Sequence, residues 1–185
     1  MRKRHFPGSG LLFGLRPQGV EDYADSAPAL DLRKYLSGPL AGSGMFIGFS
    51  GRMDRHFTMD MVGRWSGNTG TLDERFRYSD GLTGERCWEL AFADGENFTA
   101  TAHDVEGVAT GVQRGNSAVM RYRLRIGRES GEIVVAMEDW FHLMADATLI
   151  NRARMAKFGF KVGELCGSFR RREIGEAATT GMKPS

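Results

Sequence analysis

Apolar and polar positions alternate along most of this chain. In "LDERFRYSDG", Leu72 to Gly81, the apolar side chains Leu72, Phe76 and Tyr78 fall on alternate positions, the period of a half-buried strand. The pattern recurs with Trp88, Leu90 and Phe92 in "GERCWELAF" and with Phe98, Ala100 and Ala102 in "NFTATAHD". It continues with Ala118, Met120, Leu124 and Ile126 in "NSAVMRYRLRI". Ile133, Val135 and Met137 follow in "EIVVAMEDW", then Leu149, Ala153 and Met155 in "LINRARMAKFG". Turn signals separate the runs: Ser50-Gly51, Gly67-Asn68, Asp80-Gly81, Asp94-Gly95, Gly107, Gly115-Asn116, Ser130-Gly131, Asp146 and Gly159. Runs of about seven to twelve residues, with no helical segment between them, predict an antiparallel meander. About eight to ten such strands close into an up-and-down β-barrel, which removes exposed sheet edges. The expected fold class is all-β.

One short helix precedes the barrel. In "ALDLRKYLSGPL", Asp31 is placed to cap it, Leu32, Tyr35 and Leu36 form a small apolar stripe, and Gly38-Pro39 stops it. Residues 1–28 contain Pro7, Pro17 and Pro28 and no sustained period, which predicts an extended arm. The barrel domain is expected over 29–172. The polar tail "EIGEAATTGMKPS", 173–185, reads as disordered. "NRARMAKFGFKVGEL" has helical propensity, but Gly159 and Gly163 interrupt it, and Ile150, Phe158 and Phe160 favour strands.

The apolar faces are not purely apolar. Glu74 completes the alternation of Leu72, Phe76 and Tyr78, and Arg86 shares the parity of Trp88. Asp104 ends the Phe98 series, Tyr122 and Asp139 sit among the inward positions of their strands, and Asn151 and Lys157 among those of theirs. A charge on a dry face costs several kcal/mol unless it is paired, hydrated or met by a ligand. Glu74 and Arg86 lie six residues either side of Asp80, so a hairpin sets them opposite each other. With Trp65, Phe76, Tyr78, Trp88 and Met120 as walls, these residues outline a cavity with a polar pole.

Charge and composition narrow the function. The 185 residues carry a formal net charge of +2, with 41% hydrophobic and 26% charged residues. That is a soluble globular composition without the concentrated basic face that nucleic acid requires. Two distant cysteines, Cys87 and Cys166, suggest free thiols. The basic start "MRKRHFPGSGLLFGL" has too short an apolar run for a secretory signal, so a cytoplasmic location is expected. Leu11, Leu12 and Phe13 beside those basic residues allow peripheral membrane contact through the arm, the alternative being a mobile tail. The glycine-rich "GPLAGSGMFIGFSG" reads as turn and strand, and His5, His56, His103 and His142 are scattered. Neither a metal nor a cofactor is expected. "GRW", Gly63 to Trp65, echoes the Gly-x-Trp of lipocalins, with Arg170 or Arg171 in the place of the late arginine that packs on that Trp.

The ordered string "LDLRKYLSGPL", "RHFTMDMVGRW", "GTLDERFRYSDG", "ERCWEL", "TATAHDVEGVATG", "EDWFHL" and "NRARMAKFGF" resembles the bacterial family called domain of unknown function 3833, over about residues 30–171. The resemblance implies a lipocalin-like barrel and no established activity, and it inclines the ligand towards lipids. Many relatives resemble lipoproteins with a signal and lipobox, a pattern from which this sequence departs.

Three functions are compatible with these readings. The first is a binder of a hydrophobic or amphipathic small molecule. Lys157 or Arg86 would meet a carboxylate head, Tyr122 and Asn151 would hydrogen-bond it, and Trp65, Trp88, Phe76 and Met120 would line the tail. The second is an enzyme performing acid–base chemistry, an isomerisation or hydration of a lipid or isoprenoid, with Glu74, Asp104 or Asp139 as base. The third is an assembly protein with a solid barrel and an outer face rich in arginine: Arg121, Arg123, Arg125, Arg152 and Arg154.

Overall fold

The computed structural model describes residues 17–128 and 131–172. Ten strands form one closed antiparallel barrel. Its first half is β1 (Gly38–Gly48), β2 (Met53–Ser66), β3 (Thr69–Tyr78), β4 (Thr83–Phe92) and β5 (Asn97–Thr101). Its second half is β6 (Val105–Arg114), β7 (Ser117–Arg128), β8 (Gly131–Leu143), β9 (Leu149–Lys157) and β10 (Phe160–Arg171). Each strand pairs with its sequence neighbours, and β1 closes the barrel on β10. The glycine-rich segment is β1, and the segment with helical propensity is β9 and β10. Ladder pairing outweighs local propensity there.

Alternating burial follows the period of the sequence. Along β2, Phe57, Met59 and Met61 are buried between more exposed neighbours. The tail beyond Arg172 and the apolar triplet Leu11 to Phe13 lie outside the described residues, as does Ser130 of one turn signal. Gly107 differs from its reading as a turn. It has φ +75 inside β6, where the register with β7 shifts, so it makes a bulge. The chain turns earlier, at His103 and Asp104, and Asp104 therefore sits beyond the end of β5.

The arm also differs from an extended segment. Val20–Tyr23 form one turn of 3-10 helix. Val20 packs on Val119 and Trp140 of the outer barrel face, with Tyr23 against the same cluster.

Helix α1 (Leu32–Tyr35) closes one end of the barrel. Asp31 caps it by accepting from the Lys34 N–H, and the Leu32 N–H donates to Gln113 Oε1 at 3.0 Å. Buried Leu32 and Leu36 face inward over the core. The Tyr35 hydroxyl lies 2.7 Å from the Ala147 carbonyl and 2.9 Å from that of Phe169, and accepts from the Leu149 N–H at 3.1 Å. One side chain thus ties the helix to three backbone groups of β9, β10 and the loop before β9.

Gly63 is what lets the helix dock. A Cβ there would come within 1.6 Å of the Leu36 carbonyl oxygen. Two residues on, Trp65 lies over Gly70 of β3 and packs edge-on to Phe92 at 5.9 Å, so it plugs this end beneath the helix. The small residue and the large one of "GRW" have complementary tasks: one admits the helix backbone, the other fills the opening. The arginine part of that comparison fails. Arg170 instead donates to Thr148 and Asp146, and among the described residues no arginine stacks on Trp65.

Gly63→Ala is expected to displace α1 and cost about 1–3 kcal/mol. Tyr35→Phe, which strands buried backbone groups, is expected to cost about 1–3 kcal/mol. Urea unfolding of each variant measures both; an unchanged Gly63→Ala midpoint would show that the helix does not rest on β2.

Candidate functional site

The register sets Glu74 of β3 directly opposite Arg86 of β4, as the hairpin spacing requires. The ion pair is long, 3.9 Å from Arg86 Nη1 to Glu74 Oε2. Arg86 commits itself elsewhere: Nε and Nη2 donate to Asp104 Oδ2 at 3.0 and 2.6 Å. Asp104 reaches inward from the turn between β5 and β6. Glu74 therefore has a guanidinium nearby but shares it with a better-placed carboxylate.

Asp139 approaches from β8. Its Oδ2 accepts from the Tyr122 hydroxyl at 3.0 Å, and Tyr122 stands edge-on to Trp88 at 5.3 Å. Its Oδ1 is buried with no hydrogen-bond partner among the described residues, and the same is true of Asp104 Oδ1. Asn151 of β9 donates from Nδ2 to the Trp140 carbonyl at 3.1 Å.

Glu74, Asp139 and Asn151 are the polar lining residues of an interior cavity with about 90 Å³ open to the centre of a water-sized sphere. Its other walls are apolar. Phe76, Trp88 and Met120 line it as expected from the sequence, joined by Phe57, Met59 and Met61. Leu32 of α1, Leu36 at its C-terminal cap and Phe169 of β10 also line it. The alternation of β2 marks Met59 and Met61, but no local pattern tells that the α1 stripe faces a space. The cavity also means that the barrel is not filled solid.

The remaining expected site residues stand apart from the cavity. Tyr122 and Arg86 sit behind its polar wall, holding Asp139 and Asp104. Tyr78 stacks on Phe76 at 5.8 Å and lies beneath the Arg55 guanidinium at 3.6 Å. Trp65 belongs to the helix end. Lys157 closes β9 at the opposite end, its ammonium 5.5 Å from the Phe158 ring. It does not join the polar group, because β9 ends there and its side chain lies over the following turn.

The electrostatic result is one cation among three carboxylates. Burial pushes the Glu74 carboxyl up to about 7, against the pull of Arg86 and a contact with the Trp88 indole. Burial likewise raises Asp139 to about 7, although the Tyr122 hydrogen bond and Arg86 oppose it. Burial and the neighbouring Asp139 hold the Tyr122 phenol well above its ordinary value, so it remains a donor. Near neutral pH both cavity carboxyls exchange between proton donor and proton acceptor. Among the described residues, no group of three or more His, Cys, Asp or Glu side chains is placed to hold a metal ion.

Residues 9–171 match the family described as protein of unknown function (DUF3833), and the chain belongs to that family. Among solved structures, the barrel resembles the S-type phycobiliprotein lyase CPES from Guillardia theta, with TM-score 0.58 and 8% identity over 85% of this chain and 99% of that one. It also resembles Rv2717c from M. tuberculosis, with TM-score 0.55 and 17% identity over 80% of this chain and 100% of that one. At such identities the likeness establishes a shared lipocalin-like fold. No curated protein matches the sequence significantly.

The raised carboxyls make stability fall with pH. Unfolded, both release their protons near pH 4; folded, they hold them to about pH 7. Their unfavourable ionisation is absent below pH 4, accumulates between pH 4 and 7, and is complete above. Unfolding free energy is therefore expected to drop between pH 4 and 7, by about 3 kcal/mol for each carboxyl. In the Glu74→Gln/Asp139→Asn double variant that drop should largely vanish. Parallel pH profiles for the two proteins would contradict the assignment. Arg86→Met, which leaves Asp104 uncompensated, is expected to cost about 3–5 kcal/mol in the same assay.

Proposed function

We propose that this member of a family of unknown function binds a small amphipathic molecule inside the barrel. Its apolar body would lie against the methionine and aromatic walls, and its polar head on Glu74, Asp139 and Asn151. One observation carries the reading: an otherwise apolar cavity is lined by two buried carboxyls, and Asp139 Oδ1 has no hydrogen-bond partner among the described residues. A buried acceptor without a donor is costly, and a ligand that brings the donor removes that cost.

The same geometry selects the head group. Arg86 is held by Asp104, and Lys157 lies outside the cavity, so no cation waits for a carboxylate head. A hydroxyl, amide or amine fits the acidic pole; a fatty-acid carboxylate does not. Size matters as well. An engineered apolar cavity of about 150 Å³ takes up benzene, and this one is smaller. The body that fits is a short chain or small ring, and a longer one requires Met59, Met61 or Met120 to rotate aside, which an unbranched thioether does readily. That a phycobiliprotein lyase is built on a similar barrel supports treating the interior as a chemical site.

A second reading has its own support. Two carboxyls poised near pH 7 beside an apolar cavity are suited to general acid–base catalysis, with Glu74 or Asp139 as the base. Asp104, engaged by Arg86, is not free for that role.

Displacement of a fluorescent apolar probe by an alkylamine, an alkanol and a fatty acid of equal chain length tests the head-group assignment. The amine and alkanol are expected to compete better than the acid. Asp139→Asn should weaken the amine about tenfold, equivalent to about 1.4 kcal/mol. Preference for the acid, undiminished by that substitution, would refute the reading. Recovery of the bound molecule unchanged after incubation separates a binder from an enzyme.

A further inference from the structure

The four most exposed large apolar side chains of the described residues are Phe158 (88%), Phe49 (84%), Phe160 (77%) and Leu82 (61%). All four occupy hairpins at the end of the barrel opposite α1. Phe49 lies between β1 and β2, Leu82 between β3 and β4, and Phe158 and Phe160 at the turn from β9 to β10. Because β1 stands between β10 and β2, and β2 beside β3, these three hairpins are consecutive around the rim. The collar is thus one feature of the fold, assembled from segments more than thirty residues apart in sequence.

We propose that this rim docks end-on into the interface of an anionic lipid bilayer. Its shape favours a soft partner, since the aromatic side chains project from hairpin tips and line no groove. Phe158 has φ +51 and is followed by Gly159 at φ +82. That tip conformation ordinarily selects Asn, Asp or Gly. A bulky aromatic held there and facing solvent gains nothing from the barrel interior, so its contact lies outside the described residues.

Charge points the same way. Arg55 is paired with Asp80, and Lys161 with Glu164. Arg52 and Lys157 make no ion pair among the described residues, against one unpaired carboxylate in the same hairpins, Asp54. Lys157 beside the Phe158 ring places a cation next to an aromatic group, the arrangement favoured where lipid headgroups meet acyl chains. The barrel wall itself is unsuited to lipid: its outer face carries the pairs Arg75–Glu85, Arg121–Glu138 and Arg152–Glu164. Contact is therefore confined to the rim. This inference stands independently of what the cavity binds.

Sedimentation of the full chain with vesicles tests it. The expected result is binding to phosphatidylcholine vesicles containing phosphatidylglycerol, weaker binding to phosphatidylcholine alone, and loss of affinity with salt. Phe158→Ser/Phe160→Ser should lower the affinity at least tenfold without changing the melting temperature. Arg52→Glu should reduce only the phosphatidylglycerol-dependent part. Leu12→Ser/Phe13→Ser, in the N-terminal arm, should leave binding in place. The proposal is overturned if neither vesicle binds, or if the arm variant abolishes binding that the rim variant retains. It is equally overturned if light scattering shows a dimer that the rim variant dissociates, since a second copy would then be the partner.

Discussion

Inside this barrel one guanidinium must answer three carboxylates. Arg86 resolves the competition through two hydrogen bonds to Asp104 and leaves Glu74 at 3.9 Å. Asp139 has only the neutral Tyr122 hydroxyl. Two acids consequently remain in a dry interior without a full counter-charge, and burial holds their protons on near neutral pH. The acidity of the cavity, the kind of ligand it can accept and the pH dependence of folding all descend from that imbalance. Were Lys157 inside as well, Glu74 and Asp139 would share a cation and the interior would suit an anionic head.

Two ends of the barrel carry different chemistry. At one, α1 and Trp65 seal the interior, an arrangement that depends on Gly63 having no side chain and on Tyr35 reaching three backbone groups. At the other, exposed apolar side chains crown three adjacent hairpins. The cavity between them takes its acids from β3 and β8 and its flexible wall from the methionines of β2 and β7. Rigid ladders thus position the polar groups, and the side chains free to change rotamer are apolar.

The architecture was legible in the sequence because a strand repeats every second residue and a turn punctuates it. Leu72, Glu74, Phe76 and Tyr78 declare their shared face without any knowledge of the rest of the chain. The opposition of Glu74 and Arg86 followed from hairpin spacing alone and holds in the register. What pairing could not reveal was competition for Arg86, since Asp104 comes from a turn whose position depends on the Gly107 bulge. Parity is also unreliable at the last residue of a strand. It assigned Lys157 to the interior, whereas the side chain there follows the turn at Phe158 and Gly159. The distal collar was invisible for a different reason: Phe158 and Phe160 read as ordinary strand residues, Phe49 lies in a glycine-rich run and Leu82 carries no signal of its own, and only barrel closure makes them neighbours.

The proton affinity of the two cavity carboxyls is where this account is most directly exposed. A carbon-detected NMR titration of the side-chain carboxyl groups, assigned through Glu74→Gln and Asp139→Asn, reads each midpoint in the folded protein. Two carboxyls are expected to titrate at about 7, with midpoints that fall when an amine-headed amphiphile occupies the cavity, because a cationic head favours the ionised acids. Midpoints for Glu74 and Asp139 near 4, unmoved by that ligand, would show that both are already ionised and compensated, and the acidic pole would lose its role.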